Sequence, residues 1–398
     1  MSTAFATKPS QRPRSPNFSC GPCTKHPGWS LAALAAAPLG RSHRAKLGRS
    51  RLKRVIDETR ALLELPDGYR VAIMPASDTG AIEAALWSLL GPRPVDVFAW
   101  ESFGKEWVTD CLQQLRPLQT RAIVADFGVL PDLGRADFDH DVIFTWNGTT
   151  AGVIVPDGHW IPHDRRGLTL CDATSSACAI PMPWDKLDVV TFSWQKVLGG
   201  EAQHGILILS PRAVARLESH TPPWPVPKIF RLAKDRQLLH GLFEGETINT
   251  PSMLCVEDAL DAMAWARSVG GAAGLQRRTL DNARALDQWV QRTPWLQYLA
   301  VDAATRSPTS VCLRMAPALA AGLSLAEQTE WFGRIIAALE AEGVAYDIGS
   351  YRDAPPGLRI WCGATVEADD IVALTQWLDW AHAVHGAGLG SAQLAAVL

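Results

Sequence analysis

Between residues 69 and 210 the chain alternates short apolar, β-branched runs with longer polar or amphipathic stretches. The runs lie at 70–74, 95–100, 121–125, 142–146, 168–171, 189–193 and 204–209. Those before residue 168 are mostly separated by helical or loop stretches such as 81–90 and 105–115. Near-continuous apolar strands alternating with helices predict an α/β fold. Its large domain holds a mainly parallel sheet of about seven strands between helices. From about residue 257 the pattern becomes helical, at 257–269, 274–291, 326–342 and 368–385. Strands are interspersed at 309–315, 345–348 and 358–362. That mixture predicts a smaller α+β C-terminal domain. The expected organisation is a flexible tail over 1–16, a large domain over 17–256 and a small domain over 257–398. Residues 221–245, opening rich in proline and aromatics, read as a long excursion from the core, of the kind that often reaches a partner subunit.

Composition narrows the function classes. Hydrophobic residues make up 47% and charged residues 20%, a balance typical of a globular enzyme. A net charge of −3 gives no footprint for nucleic-acid binding. No apolar run reaches the roughly 18 residues of a membrane span. The first 16 residues carry basic groups with no apolar stretch behind them, so no secretory signal is expected. Eight scattered cysteines, several inside apolar strands, predict a reducing, cytoplasmic setting. Cys20-Gly21-Pro22-Cys23 matches a thioredoxin-type redox sequence. No strand precedes it and no helix can open directly after it, so a coincidental turn is the favoured reading.

The polar residues just past the strand ends carry the chemistry, since ligands of open α/β sheets bind there. Pro75-Ala76-Ser77-Asp78-Thr79-Gly80 opens a helix, and its free N–H groups and hydroxyls suit an anion, although Ser, Asp and Thr are also ordinary helix caps. Phe103, after the second strand, could stack on a flat ring or simply pack. Thr149, in Asn147-Gly148-Thr149, offers a hydroxyl or an ordinary polar turn. Asp172 ends the fifth strand, followed by Thr174 and Ser175. A carboxylate buried there needs a positive or hydrogen-bonding partner, which a protonated pyridine nitrogen or local N–H groups would supply. Lys196 ends the sixth strand in Ser193-Trp194-Gln195-Lys196. Alone it reads as a lysine whose stem snorkels to water; paired with Asp172 it reads as a Schiff-base nucleophile for pyridoxal phosphate.

With these motifs together, the chain resembles the phosphoserine aminotransferase family, class V enzymes of the fold-type-I pyridoxal-phosphate group. The likeness runs from Asn17 to about Asp379. It rests on Asn17-Phe18-Ser19-Cys20-Gly21-Pro22, Gly40-Arg41-Ser42-His43-Arg44, the 75–80 loop, Asn147-Gly148-Thr149, Asp172-Ala173-Thr174, Ser193 to Lys196, Asn249-Thr250-Pro251, and Tyr351-Arg352 through Arg359. The chain departs from the better-known branch at three places. Ser-Asp-Thr-Gly replaces a Gly-Gly-Arg type loop, Phe103 replaces a stacking tryptophan, and Tyr351 replaces a histidine.

The resemblance implies roles. Lys196 would form the Schiff base and shuttle a proton, and Asp172 would pair with the ring nitrogen. Thr149 would bond the ring hydroxyl side, and Phe103 would stack. Ser77, Asp78 (through its backbone N–H), Thr79, Thr174 and Gln195 would surround the phosphate and ring. Asn249 and Thr250 would reach the cofactor phosphate of a neighbouring subunit, making a homodimer with composite active sites to which the N-terminal segment contributes. Arg359 would take the α-carboxylate, while His43, Arg44 and Arg352 would take the phosphate of phosphoserine or the side carboxylate of glutamate. The implied reaction exchanges an amino group between O-phospho-L-serine and 2-oxoglutarate in L-serine biosynthesis, with a further role in pyridoxine biosynthesis. Small molecules are then the ligands, with neither nucleic acid nor membrane as partner and no metal. The alternatives are a serine–glyoxylate or alanine-type aminotransferase, a cysteine desulfurase, or a non-catalytic protein that binds the same cofactor.

Overall fold

The structure is a computed structural model that describes residues 7–115 and 119–386. Its centre is a seven-stranded sheet. The strands are β1 (Arg70–Pro75), β2 (Val95–Ala99), β3 (Thr120–Val124), β4 (Asp141–Thr145), β5 (Thr169–Asp172), β6 (Val189–Ser193) and β7 (His204–Leu209). The spatial order is β1-β7-β6-β5-β4-β2-β3. Neighbours from β6 through β3 pair in parallel, and β7 runs antiparallel to both β1 and β6. Six strands therefore point their carboxyl ends the same way. Strands β2, β4, β5, β6 and β7 are buried at every position, as expected of a sheet covered on both faces.

One face is covered by α2 (Ser77–Leu89), α3 (Ser102–Thr109) and α4 (Pro211–Ser219). The other packs with α1 (Lys46–Leu62), α5 (Met253–Ser268) and the C-terminal elements in one continuous apolar core. The C-terminal elements comprise an antiparallel sheet of β8 (Leu296–Tyr298), β9 (Ser310–Met315) and β10 (Gly357–Trp361), with α6 (Gly271–Val290), α7 (Leu325–Ala341) and α8 (Ala368–His385). Trp295 lies in their midst, stacked 4.4 Å from His382 and meeting Trp289 and Trp331 edge-on at 5.7 Å. Burial pushes His382 down to about 4, so its ring is a neutral packing element.

Several sequence expectations need correction. Residues 345–348 form no strand; they make only isolated bridges, Asn17 with Tyr346 and Gly349 with Leu358 flanking the segment. The boundary expected at 256/257 falls inside α5, which packs on α1. The excursion at 221–245 folds back on the large unit, burying Phe230, Leu232, Leu238, Leu242 and Phe243 against the α2 face. Residues 1–6 of the expected tail lie outside the described residues. Residues 8–16 are docked: the Gln11 carbonyl accepts from Trp377 Nε1 at 2.8 Å, Arg12 lies over the Trp377 ring at 5.1 Å, and Arg14 N–H donates to Asp370 at 2.8 Å. Among the described residues no helix is long and apolar enough to cross a membrane.

A buried ionic hub holds the amino ends of the strands, opposite the ends that carry the site. Asp188, just before β6, accepts from Arg165 and Arg212 at 3.1 Å, from Thr169 N–H at 3.0 Å and from Ser210 Oγ at 2.9 Å. Breaking one side of a buried pair leaves an uncompensated charge. Asp188→Ala is expected to destabilise the fold by about 3–5 kcal/mol in chemical denaturation, because the buried Arg165 loses its counter-charge. A loss under about 1 kcal/mol would show that the hub is not structural.

Candidate active site

The strand register builds the site. Thr145 of β4 lies opposite Asp172 of β5, which lies opposite Thr191 of β6. The chain then leaves each strand end into a turn, so three consecutive loops rise around one cavity of about 260 Å³. Its wall includes Ser77, Asp78 and Thr79 from the start of α2, and Phe103 from α3. Thr149, Asp172, Thr174, Gln195 and Lys196 come from the central strand ends. Nine of the residues expected on sequence grounds to hold a cofactor therefore share one wall.

Asp172 is buried, and its carboxylate accepts from Thr174 N–H at 3.0 Å and Trp107 Nε1 at 3.3 Å. Lys196 is equally buried, and its Nζ donates to the Cys20 carbonyl. The residue beside that carbonyl must be small: a Cβ on Gly21 would stand 2.5 Å from Lys196 Nζ. Thr149 Oγ1 pairs with Ser175 Oγ at 2.8 Å, and Asn147 Nδ2 donates to the same Ser175 oxygen at 2.7 Å.

The phosphate-type turn is held open by its backbone. Ala76 (φ 64°) and Ser77 (φ 54°) both sit in the left-handed region, unusual for residues with a Cβ. Gly205 on β7 allows the approach, since a Cβ there would collide with the Ser77 carbonyl. Ser77 N–H donates to Gln203 and Gly80 N–H to Ala76, whereas the N–H groups of Asp78 and Thr79 have no backbone acceptor among the described residues. Two donors at a helix start, aimed at a cavity, form an anion seat. Asp78 Oδ1, Thr174 Oγ1, Asn147 Oδ1 and Gln195 Oε1 are also buried without partners, so the wall is polar and unsatisfied in the way a ligand cradle is.

The rim comes from the C-terminal sheet. Tyr351 lines the cavity, with Phe103 5.4 Å away at a tilt of 42°. The guanidinium groups of Arg352 and Arg359 each stand 5.4 Å from the Tyr351 ring. Asp353 accepts from Ser102 Oγ at 2.5 Å, tying this loop to α3. Arg359 Nε is buried without a partner. Within the single chain His43, Arg44, Asn249, Thr250, Arg352 and Arg359 do not join the cavity wall; the two last stand behind Tyr351.

Sequence reasoning missed Trp107, Glu101 and the Gly21–Pro22 turn. Trp107 stands four residues after Phe103 on α3, a spacing that places both on one helix face. Glu101 caps α3 by accepting from Gly104 N–H at 2.6 Å and also accepts from Thr150 Oγ1 at 3.0 Å. Burial, aided by the nearby Asp172 charge, pushes its carboxyl up to about 7 against those hydrogen bonds.

No protein-family model matches the chain. Phosphoserine aminotransferases of Methanosarcina barkeri and Methanosarcina mazei are each 56% identical to it over 375 residues, covering 94% of this chain and 99% of theirs. The chain belongs to the phosphoserine aminotransferase family. Solved structures agree in fold. The phosphoserine aminotransferase of Cytophaga hutchinsonii superposes with a TM-score of 0.77 at 21% identity, covering 92% of this chain and 98% of that one. A pyridoxal-phosphate-bound family member from Trichomonas vaginalis gives 0.75 at 17% identity, covering 92% and 100%.

Within this family member, Cys20 and Cys23 serve packing. Both are free and buried, and burial raises both thiols despite the opposing charges of Lys196 and Arg359. A redox dithiol needs the reverse shift. Alkylation followed by mass spectrometry is therefore expected to modify Cys20 and Cys23 only after denaturation. Rapid labelling of either in the folded protein would contradict this assignment.

Proposed function

We propose that this chain is a pyridoxal-phosphate-dependent phosphoserine aminotransferase. It transfers the amino group of O-phospho-L-serine reversibly to 2-oxoglutarate, giving 3-phosphooxypyruvate and L-glutamate. The observation that carries this reading is the single cavity shared by Lys196, Asp172 and the open α2 start, in a chain 56% identical to the Methanosarcina enzymes.

The residues fit the cofactor by their chemistry. The unpaired N–H groups of Asp78 and Thr79, with the Ser77 hydroxyl, would hold its phosphate. The Asp172 carboxylate, supported by Thr174 and Trp107, would face the ring nitrogen. Phe103 would lie against the ring and Thr149 near its hydroxyl, and Lys196 would hold the aldehyde carbon. When bound, the cofactor supplies an electron sink for the bond broken at the substrate Cα. Lys196 Nζ moves the proton at that Cα, and its burial keeps water from competing. Arg359, with a free buried Nε against Tyr351, binds the α-carboxylate, and Arg352 binds the distal phosphate. Bidentate guanidinium contacts suit both groups.

The reading includes a homodimer. Asn249, Thr250, His43 and Arg44 lie off the cavity of their own chain, and a second copy would bring them to a composite site. It also places the enzyme in cytoplasmic L-serine biosynthesis, with a phosphorylated hydroxythreonine as a further substrate in pyridoxine biosynthesis. A cysteine desulfurase needs a catalytic thiol on a mobile loop. Seven of the cysteines here are buried, and Cys255 lies half-buried on α5.

Steady-state kinetics with phosphoserine, serine, alanine and cysteine test the choice. Phosphoserine is expected to exceed serine in kcat/KM by at least about 100-fold, since each charge-assisted hydrogen bond to its phosphate contributes about 1.5–3 kcal/mol. Equal rates with serine would refute it. Lys196→Ala should remove turnover. Asp172→Ala should weaken cofactor binding and slow the proton transfer, and normal rates would reject the ring-nitrogen role.

A further inference from the structure

Asp78 has a second role that its backbone does not explain. Acidic residues in the first turn of a helix ordinarily face the helix N–H groups or water. Asp78 does neither: its side chain is buried at 6% exposure, and Oδ1 has no partner. The left-handed pair Ala76 and Ser77 opens this helix, and Asp78 lies in the cavity wall together with Asp172 and Thr174. There it meets Asp172, with Thr174 and Thr191 beside it. Thr191 is the register partner of Asp172, and the hydroxyls of both threonines are buried and unpartnered. Such strained backbone persists only where the surroundings enforce it.

Two carboxyl groups this close and this dry cannot both be charged without a cation between them. The other titratable groups facing the site do not supply one there. Lys196 Nζ is engaged by the Cys20 carbonyl. His204 of β7, bridged to Ser77, is held neutral by burial at about 4. Glu101 at the start of α3 and Cys171 of β5 add only acids. The two partners are also unequal. Asp172 accepts two N–H donors, whereas Asp78 Oδ1 has no donor among the described residues.

We propose that Asp78 carries the proton of this pair and donates it to the Asp172 carboxylate, so that the cofactor nitrogen faces a carboxylate held by a third hydrogen bond. Asp78 is thus a positioning residue: it fixes the orientation of Asp172 toward the ring. Burial, and then the Asp172 charge, raises Asp78 well above the usual carboxylate range, in agreement with that placement. The inference rests on the ring-nitrogen role of Asp172.

Three variants test it: Asp78→Asn, which keeps a donor without charge, Asp78→Ala, which removes it, and Asp172→Ala. Cofactor affinity is measured on each holoenzyme by equilibrium dialysis, and thermal stability of the cofactor-free full chain is followed with pH. Asp78→Ala should weaken cofactor binding about 10-fold, the loss of one hydrogen bond to a charged group, and Asp78→Asn should restore most of it. The stability profile carries a sign. The unfolded chain releases the Asp78 proton above about pH 4 while the folded chain keeps it, so wild-type stability falls as pH rises. The melting temperature of Asp78→Asn should therefore gain on wild type steadily between about pH 5 and pH 8. A constant difference across that range, or unchanged affinity in Asp78→Ala, would overturn the proposal. If Asp172→Ala also kept its affinity, the ring-nitrogen reading itself would fail; if Asp172→Ala lost affinity while the Asp78 variants did not, only the shared proton would fall.

Discussion

The register of the central parallel strands is the constraint on which the rest of the site depends. Because β4, β5 and β6 are in step, Thr145, Asp172 and Thr191 lie side by side at the same height. A carboxylate at the buried end of a core strand is tolerated only with donors around it. Thr174 and Trp107 supply two, from the turn after β5 and from α3. A one-residue slip of β5 would turn Asp172 to the opposite face of the sheet. Asp188 at the other end of β6 opposes such a slip, since it binds the Thr169 N–H of β5 as well as Arg165 and Arg212.

The N-terminal segment joins this sheet to the C-terminal one. The Phe18 carbonyl accepts from Trp361 N–H at 3.0 Å, Cys23 N–H donates to the Gln195 carbonyl at 2.8 Å, and between them the Cys20 carbonyl receives Lys196 Nζ. The lysine is thus held by a segment that also pairs with the edge of the sheet carrying Arg359. From the other side Asp353 grips Ser102, so the Tyr351 loop and α3 close the rim together. Asp172, Lys196 and Arg359 sit on elements that share one apolar core, which favours a rigid site over one assembled from independent loops.

Much of this was legible in the sequence. The seven apolar runs fall on the seven sheet strands within a residue or so, because buried parallel strands leave an uninterrupted apolar signal. Ser77, Asp78, Thr149, Asp172 and Lys196 were readable as strand-end polar residues and do line one cavity. What was not legible depended on three-dimensional contact. Helix α1 was hidden by its basic residues, although Leu52, Val55, Ile56 and Leu62 form a buried stripe against α5. Residues 345–348 have strand composition but are caught between the N-terminal segment and β10 by single bridges. The thioredoxin-like tetrapeptide proved to be a turn whose glycine makes room for a lysine far away in sequence. The burial of the Asp78 side chain could not be read at all, since the left-handed backbone at Ala76 and at Ser77, the first residue of α2, leaves no mark in the sequence.

The account stands on Lys196 and Asp172 addressing the same ring from different sides of one cavity. Borohydride reduction of the cofactor-loaded protein, followed by peptide mapping, tests it most directly. A pyridoxyl group is expected on the peptide containing Lys196 and on no other. Modification of a different lysine, or no stable adduct in a protein that retains the cofactor, would contradict it.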